Sequence, residues 1–566
     1  MSWKLRKKYD DLLAREEGYE KKIWGELFTV CFAYPNYYRT GMANLGFHTI
    51  YSLINRHTSF LCERVFLPDP DDEIIFRRDS IPLFSIESQK ALTDFDIIAF
   101  SVPFENDYPN ILKILNFAGI SLSSHDRKEK DPLIIGGGVS VTLNPEPLAD
   151  FIDLFLLGEG EDILQEFLNV FENSHKFGCN RSELLFQIQK EIEGAYVPQY
   201  YKVHYTAHHL IENIEPINTA FPQKIKTRHV SDINAFTTDQ CITSPASEFK
   251  DIFLTEVSRG CRRGCRFCAA GFLYRPARFR NLKTLKPSFV RGINEQKKIG
   301  LLGTAVSDHP KLISLCRCIM NQECEVAIGS FRLDRLDDDL VSVIRESRIE
   351  TISLAPEAGS QRLRNFINKG ITEEQIFNAA ELLIENNIVN MRLYFMIGLP
   401  TETEDDIEAI IDTIKKIQHN IIKFSSGKRS FKRITLSINQ FVPKPVTPFQ
   451  WYPLEDINTV RKRMRKIENA LRKERSVKVI HDLPKWNYIQ ALLSLGDRKV
   501  GKILLSAHQN DGNWPKVFKE VNVNPDFYVY RHKGMEETLP WDFIDHGVSK
   551  QYLMAEYKKA FEESTH

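Results

Sequence analysis

The chain lacks any hydrophobic run long enough to cross a bilayer, and apolar runs such as Ile97–Val102 have only the length of a buried strand. It also lacks an excess of charge, because Lys and Arg number 75 and Asp and Glu also number 75. No global charge therefore directs the protein to nucleic acid or to a membrane surface. The basic stretch Met1–Lys8 is not followed by an apolar signal core. We expect a cytoplasmic protein without membrane insertion.

Cysteine is sparse, with 10 residues in a chain of 566. Without a signal peptide, this composition favours a reducing compartment and disfavours a disulfide framework. Three cysteines nevertheless lie close together, as Cys261, Cys265 and Cys268 in a Cys-x3-Cys-x2-Cys pattern with Phe267 before the third. A structural zinc site would need a fourth ligand, usually from a second Cys-x2-Cys pair, which the sequence lacks. A dithiol redox centre is also disfavoured, because it would leave Cys261 without a role.

Three thiolates on one short loop can hold three irons of a 4Fe–4S cube and leave the fourth iron without a protein ligand. An open iron can bind and activate a substrate, whereas a fully ligated cluster usually only transfers electrons. The segment Glu256–Gly271 resembles the signature of the radical S-adenosylmethionine (SAM) enzymes. The resemblance implies that Phe267 lies beside the cofactors and that the open iron binds the methionine moiety of SAM. It also implies that one electron, from a reductant protein such as flavodoxin or ferredoxin, splits the sulfonium to a 5′-deoxyadenosyl radical.

The middle of the chain alternates between strand and helix patterns. The strand patterns are Ile252–Val257, Leu301–Val306, Glu325–Phe331, Thr351–Ala355, Met391–Ile397 and Ile434–Phe441. Helix patterns separate them, for example Glu373–Glu385 with Thr372 as a plausible N-cap. Six such units predict parallel strands with right-handed crossovers, in either an open sheet or a partial barrel, and a site at the carboxyl ends of the strands. The cysteine loop follows the first strand, and the resemblance likewise implies a six-unit partial barrel.

The amino-terminal part carries a second alternating series. Its strand patterns are Phe28–Ala33, Val65–Leu67, Ile97–Val102, Leu133–Ile135 and Leu154–Leu157. Five strands with intervening helices predict a doubly wound, flavodoxin-like domain. Two of the strands end in glycine-rich segments, Gly136–Gly138 and Gly158–Glu161. Such glycines could let a ligand lie against bare backbone, or they could only make tight turns, and the spacing alone favours turns.

Three segments of this part together resemble the cobalamin-binding domain that precedes many radical SAM cores. They are Tyr34–Gly46, Gly136–Gly138 with Asn144–Pro147, and Gly158–Glu161. Nearly the whole chain resembles one uncharacterised family of such proteins, which implies cobalamin contacts at Gly41, Gly136, Gly137, Gly138, Gly158, Glu159 and Gly160. The chain lacks the Asp-x-His-x-x-Gly motif whose histidine ligates cobalt in ordinary cobalamin domains. Cobalamin would then be bound without a histidine on its lower face, or the domain has lost the cofactor, and His48 and His57 are interpreted as ordinary histidines.

Candidate contacts for SAM lie where the predicted core strands end. They are Ser307 and Asp308 after the second strand, Arg332 after the third, Glu357, Gly359 and Ser360 after the fourth, and Met396 in the fifth. A carboxylate at a buried strand end is costly without a partner, which marks Glu357 as a site residue. Arg332 could contact SAM or could form an ion pair with Asp334. Gly359 and Ser360 would open the next helix and aim its amino end, which can accept a carboxylate, inward.

The predicted fold class is α/β, with a flavodoxin-like doubly wound domain of the cobalamin-binding type, a partial (β/α)6 barrel and a small, mainly helical carboxyl-terminal region. The predicted segments are an N-terminal helical extension (1–25), the cobalamin-binding-like domain (26–175), a linker region (176–247), the radical SAM core (248–475) and a cap region (476–566). Basic stretches at Lys428–Arg433 and Arg461–Arg475 could contact RNA phosphates. Glu468 and Glu474 interrupt the second stretch and favour a solvated helix face, so nucleic acid stays an open alternative.

The sequence favours a radical SAM enzyme that methylates an unactivated carbon with cobalamin. The alternatives are a non-methylating radical enzyme, for sulfur insertion, rearrangement or RNA modification, and a cobalamin or redox sensor. A methylthiotransferase is disfavoured because its amino-terminal domain would carry three further cluster cysteines, and here the candidates Cys31, Cys62 and Cys179 are widely spread. Cys316 and Cys318 lie two apart on a predicted helix and point to different sides, which disfavours a second cluster. The substrate is not identified by the sequence.

Overall fold

A computed structural model describes residues 3–296, 298–388, 390–424 and 432–563, and it divides into two compact units. Unit 1 comprises Met1–Lys250, Leu492–Tyr528 and Glu536–Gly547. Unit 2 comprises Asp251–Ala491, Val529–Met535 and Val548–His566. Among the described residues, no helix combines the length and the apolar composition that a membrane span requires. Of the predicted basic stretch Lys428–Arg433, residues 428–431 lie outside the described ranges.

The described elements alternate between strands and helices along most of the chain. The strands are β1 (Phe28–Tyr34), β2 (Phe60–Phe66), β3 (Ile97–Ser101), β4 (Leu133–Gly137), β5 (Leu154–Leu156), β6 (Ala195–Tyr196), β7 (Tyr201–Tyr205), β8 (Ile211–Pro216), β9 (Ile225–Lys226), β10 (Phe253–Arg259), β11 (Arg278–Phe279), β12 (Lys298–Gly303), β13 (Glu325–Ile328), β14 (Thr351–Glu357), β15 (Asn390–Ile397), β16 (Arg433–Gln440), β17 (Val477–His481) and β18 (Ile544–Asp545). The helices are α1 (Trp3–Leu13), α2 (Tyr38–Gly41), α3 (Leu45–Arg56), α4 (Pro70–Arg78), α5 (Tyr108–Phe117), α6 (Val139–Leu143), α7 (Gly160–Lys176), α8 (Arg181–Glu191), α9 (Ala269–Leu273), α10 (Leu282–Glu295), α11 (Leu312–Met320), α12 (Asp338–Glu346), α13 (Gln361–Phe366), α14 (Glu373–Glu385), α15 (Glu404–Phe424), α16 (Ile457–Leu471), α17 (Pro484–Leu495), α18 (Val500–Gln509), α19 (Trp514–Glu520), α20 (Asp526–Val529) and α21 (Lys550–Glu563).

Unit 1 is built on a six-stranded sheet with the strand order β2-β1-β3-β4-β5-β6. The first five strands are parallel, and β6 pairs antiparallel with β5. The order 2-1-3-4-5 is that of flavodoxin-like doubly wound sheets, in which ligands bind at the carboxyl ends of the strands. The predicted doubly wound domain is therefore confirmed.

Strand β2 begins five residues before its predicted start at Val65, because two charged residues interrupt its apolar pattern. Glu63 and Arg64 are both buried in the strand. The Arg64 guanidinium lies 2.6 Å from a carboxylate oxygen of Glu16 and 2.6 Å from one of Glu87. A buried cation is tolerated only when it is paired and hydrogen-bonded in this way. The pairing of three residues far apart in sequence explains why a strand can contain this charge.

The segment 476–566, predicted as a cap, is shared between the two units. Within unit 1, Arg498 donates to the buried Glu146 at 3.1 Å and to the Tyr196 hydroxyl at 2.7 Å. Strand β18 pairs in parallel with β9, so residues of the predicted linker 176–247 and of the predicted cap form one small sheet. Polar contacts and strand pairing therefore join these late residues to the amino-terminal sheet.

Unit 2 contains two four-stranded sheets, with orders β11-β10-β12-β13 and β14-β15-β16-β17. An isolated parallel bridge between Phe331 and Leu354 connects them. Strands β10, β12, β13, β14, β15 and β16 are the six predicted strands, so the predicted core of βα units is confirmed. Strand β12 starts at Lys298 rather than at Leu301. The structure adds β17, which pairs in parallel with β16 beyond the predicted core boundary at residue 475.

The strands of unit 2 have an apolar helix-facing side and a more polar opposite side. In β15 the burial alternates strictly, with Met391, Leu393 and Phe395 in the core and Arg392 and Tyr394 half-buried on the opposite face. The core continues into helices α14 and α15. This period of two is the expected result when parallel strands are covered by helices on one side only. The opposite face is left for the polar residues of a site.

The last helix, α21, packs beside the three-cysteine loop through Arg266, which lies between the second and third cysteines. Its side chain is 2% exposed and lies 3.2 Å from Glu556 and 3.1 Å from Glu563 of α21. It also donates to the carbonyl of Phe366 at 2.7 Å. A second arginine, Arg275, lies over the Tyr552 ring of α21 at 5.7 Å. The carboxyl-terminal helix therefore anchors the loop.

We expect Arg266→Met to lower the hydrogen-exchange protection of residues 260–275 and of α21. The loss should be about 2–3 kcal/mol, because a carbonyl and two carboxylates lose their buried partner. Exchange of the full-length protein, read by mass spectrometry, measures it. Arg345→Met removes an exposed arginine from α12 and should change protection by less than about 0.5 kcal/mol. Equal protection in both variants would contradict the anchoring.

Candidate active site

The three cysteines lie on a loop that begins where β10 ends, as predicted. Gly260 opens the loop with a φ of +79°, and a Cβ there would lie 2.1 Å from the carbonyl oxygen of Tyr274. Only glycine suits both conditions. Cys265 is buried, whereas Cys261 and Cys268 are half-buried. Backbone N–H groups of Cys268 and Gly271 donate to the carbonyls of Cys265 and Cys268 at 3.1 and 3.0 Å and shape the turn.

Arg263 connects the cysteine loop to the ends of the second and third strands of the core. Its backbone N–H donates to the Cys261 sulfur at 3.4 Å. Its guanidinium donates to both carboxylate oxygens of Asp308, at 3.1 and 2.9 Å, and lies 3.1 Å from Asp334. Burial opposes ionisation of Asp308, but Arg263 and Arg335 hold the pKa of that carboxyl below its usual value. Asp308 is therefore an anchor for the loop.

Ser307 and Arg332 lie in the same network. The Ser307 hydroxyl accepts from the Arg332 backbone N–H at 3.1 Å. The Arg332 side chain donates to Asp334 at 2.9 Å and to the Lys369 carbonyl at 3.4 Å. The ion-pair alternative for Arg332 is thus the one that the structure contains. A contact between Arg332 and SAM stays a prediction.

Glu357 ends β14 in a strained backbone conformation. Its φ is +69°, and the register between β14 and β15 shifts between Leu354 and Glu357. Left-handed backbone at a residue other than glycine costs energy and clusters at functional sites. The carboxylate accepts from the Lys369 ammonium at 3.1 Å. Sequence analysis missed Lys369, which follows helix α13 without a recognisable motif.

The other two candidate residues after β14, Gly359 and Ser360, make close contacts within the protein itself. A Cβ at Gly359 would lie 2.4 Å from the backbone nitrogen of Ile410. The Ser360 hydroxyl donates to Asp406 and accepts from the Leu363 N–H, the latter at 3.1 Å, as the N-cap of α13. Helix α13 has only six residues, and its capping serine is already satisfied. The predicted carboxylate contact at this helix end therefore has no support in the geometry.

Two predicted residues lie at the margins of this network. Met396 is half-buried on the polar face of β15, and Phe267 is half-buried beside Cys268. The strand after Met396 ends in a turn at Gly398, whose N–H donates to Glu402 at 2.7 Å. Burial raises the pKa of Glu402 to about 8, although Gly398 and Arg463 oppose the shift. The turn is thus fixed by a buried carboxyl that sequence analysis did not single out.

The cysteine loop fits a cluster with one open iron. Burial raises the pKa of the Cys268 thiol to about 11 and also raises that of Cys265, while Lys369 and Arg332 oppose the shift at Cys265. Bound iron would deprotonate such thiols outright. Among the described residues, no group of three His, Cys, Asp or Glu side chains is placed to hold a single metal ion. Thiolates that each hold a different iron need not converge on one point, so this finding concerns single ions.

No fourth cysteine joins the loop in the described part of unit 2. Cys316 is fully buried in the core that α11 covers, and Cys324 is also buried in it. Cys318 is partly buried against the same core. These three thiols have ordinary packing environments, and burial raises the pKa of Cys316 to about 12. The geometry gives them a structural explanation, as the sequence analysis expected.

The predicted cobalamin glycines lie at the carboxyl edge of the unit 1 sheet, where their own chain packs against most of them. Gly138 and Gly158 both have a φ of +116°, and a Cβ would meet the carbonyl oxygens of Val102 at 2.7 Å and Arg228 at 2.2 Å. At three other glycines a Cβ would collide with a side chain of the protein. The side chains are Phe66 at Gly41, Phe155 at Gly136 and Ile50 at Gly160. Gly137 is the most open, with its nearest atom at 3.7 Å. Tight packing therefore explains the presence of glycine at each of these positions except Gly137.

The remaining groups at this edge are polar or internally paired. Glu159 is buried and accepts from the Val230 N–H at 2.8 Å. Between β1 and β3, Asn36 donates to Asp107 at 2.8 Å, and burial raises the pKa of that carboxyl to about 7. His48 is buried, with Nε2 3.0 Å from the Met42 carbonyl. These contacts agree with its interpretation as an ordinary histidine.

Two sequence families match the chain. The model described as "Radical SAM superfamily" matches residues 255–414, which contain the cysteine loop and Glu357. The model described as "Radical SAM proteins, N-terminal" matches residues 46–198, which contain β2 to β6 of unit 1. Both matches therefore fall on the sheets whose carboxyl edges carry the candidate residues.

Curated relatives cover the chain to different extents. An uncharacterised protein of Methanocaldococcus jannaschii is 28% identical over 485 residues, which are 84% of this chain and 90% of that protein. The anaerobic magnesium-protoporphyrin IX monomethyl ester cyclase of Rubrivivax gelatinosus is 27% identical over 28% of this chain and 30% of its own length. The tRNA-2-methylthio-N(6)-dimethylallyladenosine synthase of Aquifex aeolicus is 25% identical over 34% of this chain and 43% of its own length.

Solved structures resemble the chain at low identity. The cobalamin-dependent SAM radical enzyme OxsB, solved with aqua-cobalamin and SAM, is 15% identical with a TM-score of 0.48, and the match covers 95% of this chain and 80% of that one. Streptococcus suis SuiB is 13% identical with a TM-score of 0.30 over 42% of this chain and 52% of that one.

The order of the strands, the position of the cysteine loop and the two family matches agree with one another. Radical SAM proteins use a 4Fe–4S cluster together with SAM, and the described loop offers three thiols and no fourth for the cluster. The chain carries a domain of the radical SAM superfamily at residues 255–414 and the N-terminal domain of radical SAM proteins at residues 46–198.

Proposed function

We propose that this radical SAM enzyme methylates an unactivated carbon of its substrate and uses cobalamin for that purpose. The observation that carries the radical part is the three-cysteine loop, which Arg263 fixes against Asp308 and Asp334. When bound, the cluster and SAM supply one-electron cleavage of a sulfonium, and cobalamin supplies a methyl group. The roles below are those of the chain's own residues.

Cys261, Cys265 and Cys268 hold three irons, and the absence of a fourth thiol from the described loop leaves one iron for SAM. Glu357 is the acceptor for a polar hydrogen of SAM. Its carboxylate is 16% exposed and has one partner in Lys369, so it retains free lone pairs. The strain at Glu357 fixes the direction of the carboxylate and pre-organises it for binding.

The polar face of the unit 2 strands is the proposed substrate side. Arg392 and Tyr394 of β15 are half-buried there, next to Met396. A site with buried walls excludes water and protects a reactive radical from side reactions. The apolar outer face cannot serve this purpose because helices α14 and α15 cover it.

The cobalamin part of the proposal is supported by the sheet of unit 1. In sheets with this strand order, ligands bind at the carboxyl ends of the strands, at the switch point between β1 and β3. Of the glycines that the sequence analysis selected, Gly137 alone offers open backbone, so the cofactor would be held mainly by the loops around Asn36 and Asp107. Burial raises the pKa of Asp107 to about 7, so this carboxyl is partly protonated near neutral pH.

Sulfur insertion, the outcome in the tRNA-modifying relatives by name, is disfavoured by the remaining cysteines. Cys31 and Cys62 are fully buried in neighbouring strands of unit 1, and burial raises the pKa of both thiols well above the usual value. Such thiols are inert and packed. Cys31 and Cys62 therefore offer no ligands to a second cluster that could donate sulfur.

We expect Cys265→Ala to abolish assembly of the 4Fe–4S cluster, because one iron loses its thiolate. Iron and sulfide analysis after anaerobic reconstitution, with the 400 nm region of the absorption spectrum, measures it. Cys316→Ala is the matched control, since that thiol is buried in the core, and it should retain the cluster. Iron content near wild type in Cys265→Ala would refute the assignment.

The reduced protein should cleave SAM slowly to 5′-deoxyadenosine and methionine even without its substrate. Glu357→Gln should weaken SAM binding roughly tenfold while preserving the cluster, because a charge-assisted acceptor becomes a neutral one. Chromatography of the products and equilibrium binding of SAM measure the two effects. Strong reductant without any deoxyadenosine would argue against radical chemistry, and unchanged SAM affinity would remove Glu357 from the site.

If unit 1 binds cobalamin, the cobalt should lack a nitrogen ligand from the protein, because the chain has no Asp-x-His-x-x-Gly motif and His48 is committed to internal contacts. The paramagnetic resonance spectrum of the cob(II)alamin form should then show no histidine superhyperfine splitting. Protein produced with ample cobalamin that contains none of it would exclude methylation by this route and leave the non-methylating radical enzyme.

A further inference from the structure

Helix α16 has an exposed face that carries only cations and asparagines. This face lines a shallow groove of about 470 Å³, formed by Asn458, Arg461, Lys462, Arg465, Lys466 and Asn469. It continues past the helix end with the exposed Arg472 and Lys473. Within the helix, the cations from Arg461 to Lys466 span roughly 7.5 Å of its axis, given a rise of about 1.5 Å per residue, and Arg472 and Lys473 extend the row beyond its end. This arrangement suits a chain of spaced negative charges better than one small anion.

The basic residues of α16 fall into two groups. The inward-facing Arg463 lies 2.9 Å from Glu402, and Lys466 lies 3.0 Å from Glu404. Arg461, Lys462 and Arg465 form no ion pair or hydrogen bond within the described ranges. Arg463 therefore stabilises the helix on the core, Lys466 of the exposed face is paired with Glu404, and Arg461, Lys462 and Arg465 are available to a ligand.

The basic face begins beside the candidate site. Glu402, the partner of Arg463, accepts from the backbone N–H of Gly398 in the turn after β15. Gln440, at the end of β16, donates to the Glu455 carbonyl just before α16 at 3.1 Å. The first turn of α16 therefore lies at the carboxyl ends of β15 and β16, on the edge where the chemistry is expected.

An exposed aromatic residue lies at the carboxyl end of the next strand. Trp486 follows β17 and is 43% exposed, and the Lys485 ammonium lies 5.2 Å from the centre of its ring. His481, the last residue of β17, lies 2.9 Å from Glu468 of α16 and so connects the two elements. A tryptophan beside a lysine is a combination that binds unpaired bases by stacking while cations bind the phosphates.

We propose that the exposed face of α16 and Trp486 bind an RNA, which is the substrate of the proposed methylation site. Arg461, Lys462 and Arg465 contact phosphates, and Trp486 stacks on an unpaired base. A membrane surface is disfavoured because the apolar side of α16 packs into the core and cannot enter lipid. RNA fits better than duplex DNA, because RNA loops present unstacked bases that can enter a barrel. This inference rests on the proposed function, whose substrate it names.

The test is binding of a labelled RNA stem–loop by the full-length protein, measured by fluorescence anisotropy over a range of salt. The triple variant R461Q/K462Q/R465Q should bind about 100-fold more weakly at about 0.1 M salt, and the slope of log K against log salt should fall by about 2. The control K283Q/K286Q/K415Q removes three exposed lysines from α10 and α15 and should change neither quantity.

Trp486→Ala should weaken binding roughly tenfold with an unchanged salt slope, because stacking releases no counterions, and Trp486→Phe should restore most of the affinity. Absence of RNA binding by the wild type, equal losses in the two triple variants, or equal affinity for a DNA duplex of the same length would overturn the inference. The binding assay needs neither reductant nor SAM, so its failure is separate from a failure of deoxyadenosine formation.

Discussion

The geometry of the site depends on Arg263, which contacts both the cysteine loop and the ends of the neighbouring strands. The cysteine loop leaves the sheet after β10, and by itself it would be free to move relative to the other strand ends. Arg263 donates through its backbone to Cys261 and through its side chain to Asp308, and its guanidinium forms an ion pair with Asp334. A planar guanidinium can engage two carboxylates at fixed angles, which a lysine ammonium cannot do. The position of the thiols is therefore defined by two arginines within the cysteine motif itself, Arg263 towards the strand ends and Arg266 towards helix α21.

Residues near this contact have strained or sterically restricted backbone conformations. Glu357 adopts a left-handed backbone, and Gly260 is confined by the Tyr274 carbonyl. Such strain persists only where the surroundings over-determine it. Here the surroundings are the regular core of β10 and β12 to β16, in which nearly every helix-facing position is apolar and buried. A rigid scaffold thus supports a strained, polar edge, which is the usual arrangement when binding groups need fixed directions.

The sheet of unit 1 and the βα core of unit 2 could be predicted from the sequence, because burial on one or both faces imposes an apolar period that local patterns record. The errors lie where a charge is neutralised at long range: β2 contains Arg64, whose partners Glu16 and Glu87 are remote in sequence. Strand β17 was missed because its residues are half-buried or exposed, so no apolar period marks it. Of the site, the cysteines and the Asp308 and Glu357 positions could be predicted from motif and strand end. The partner Lys369 and the helix that holds Arg266 could not, because no local pattern encodes a tertiary contact.

Helix α16 shows how folding and function divide one run of basic residues. Its period of 3.6 places Val460, Met464 and Ile467 in the core, and Arg463 beside them must be paired because it is buried. Folding therefore accounts for Arg463 and for the carboxylates that surround it. Folding does not require a cation at the outward positions of α16, because any polar residue could be exposed to water there. That Arg461, Lys462 and Arg465 are all cations, next to the strand ends of the site, consequently calls for an explanation outside folding, and binding of a polyanion provides one.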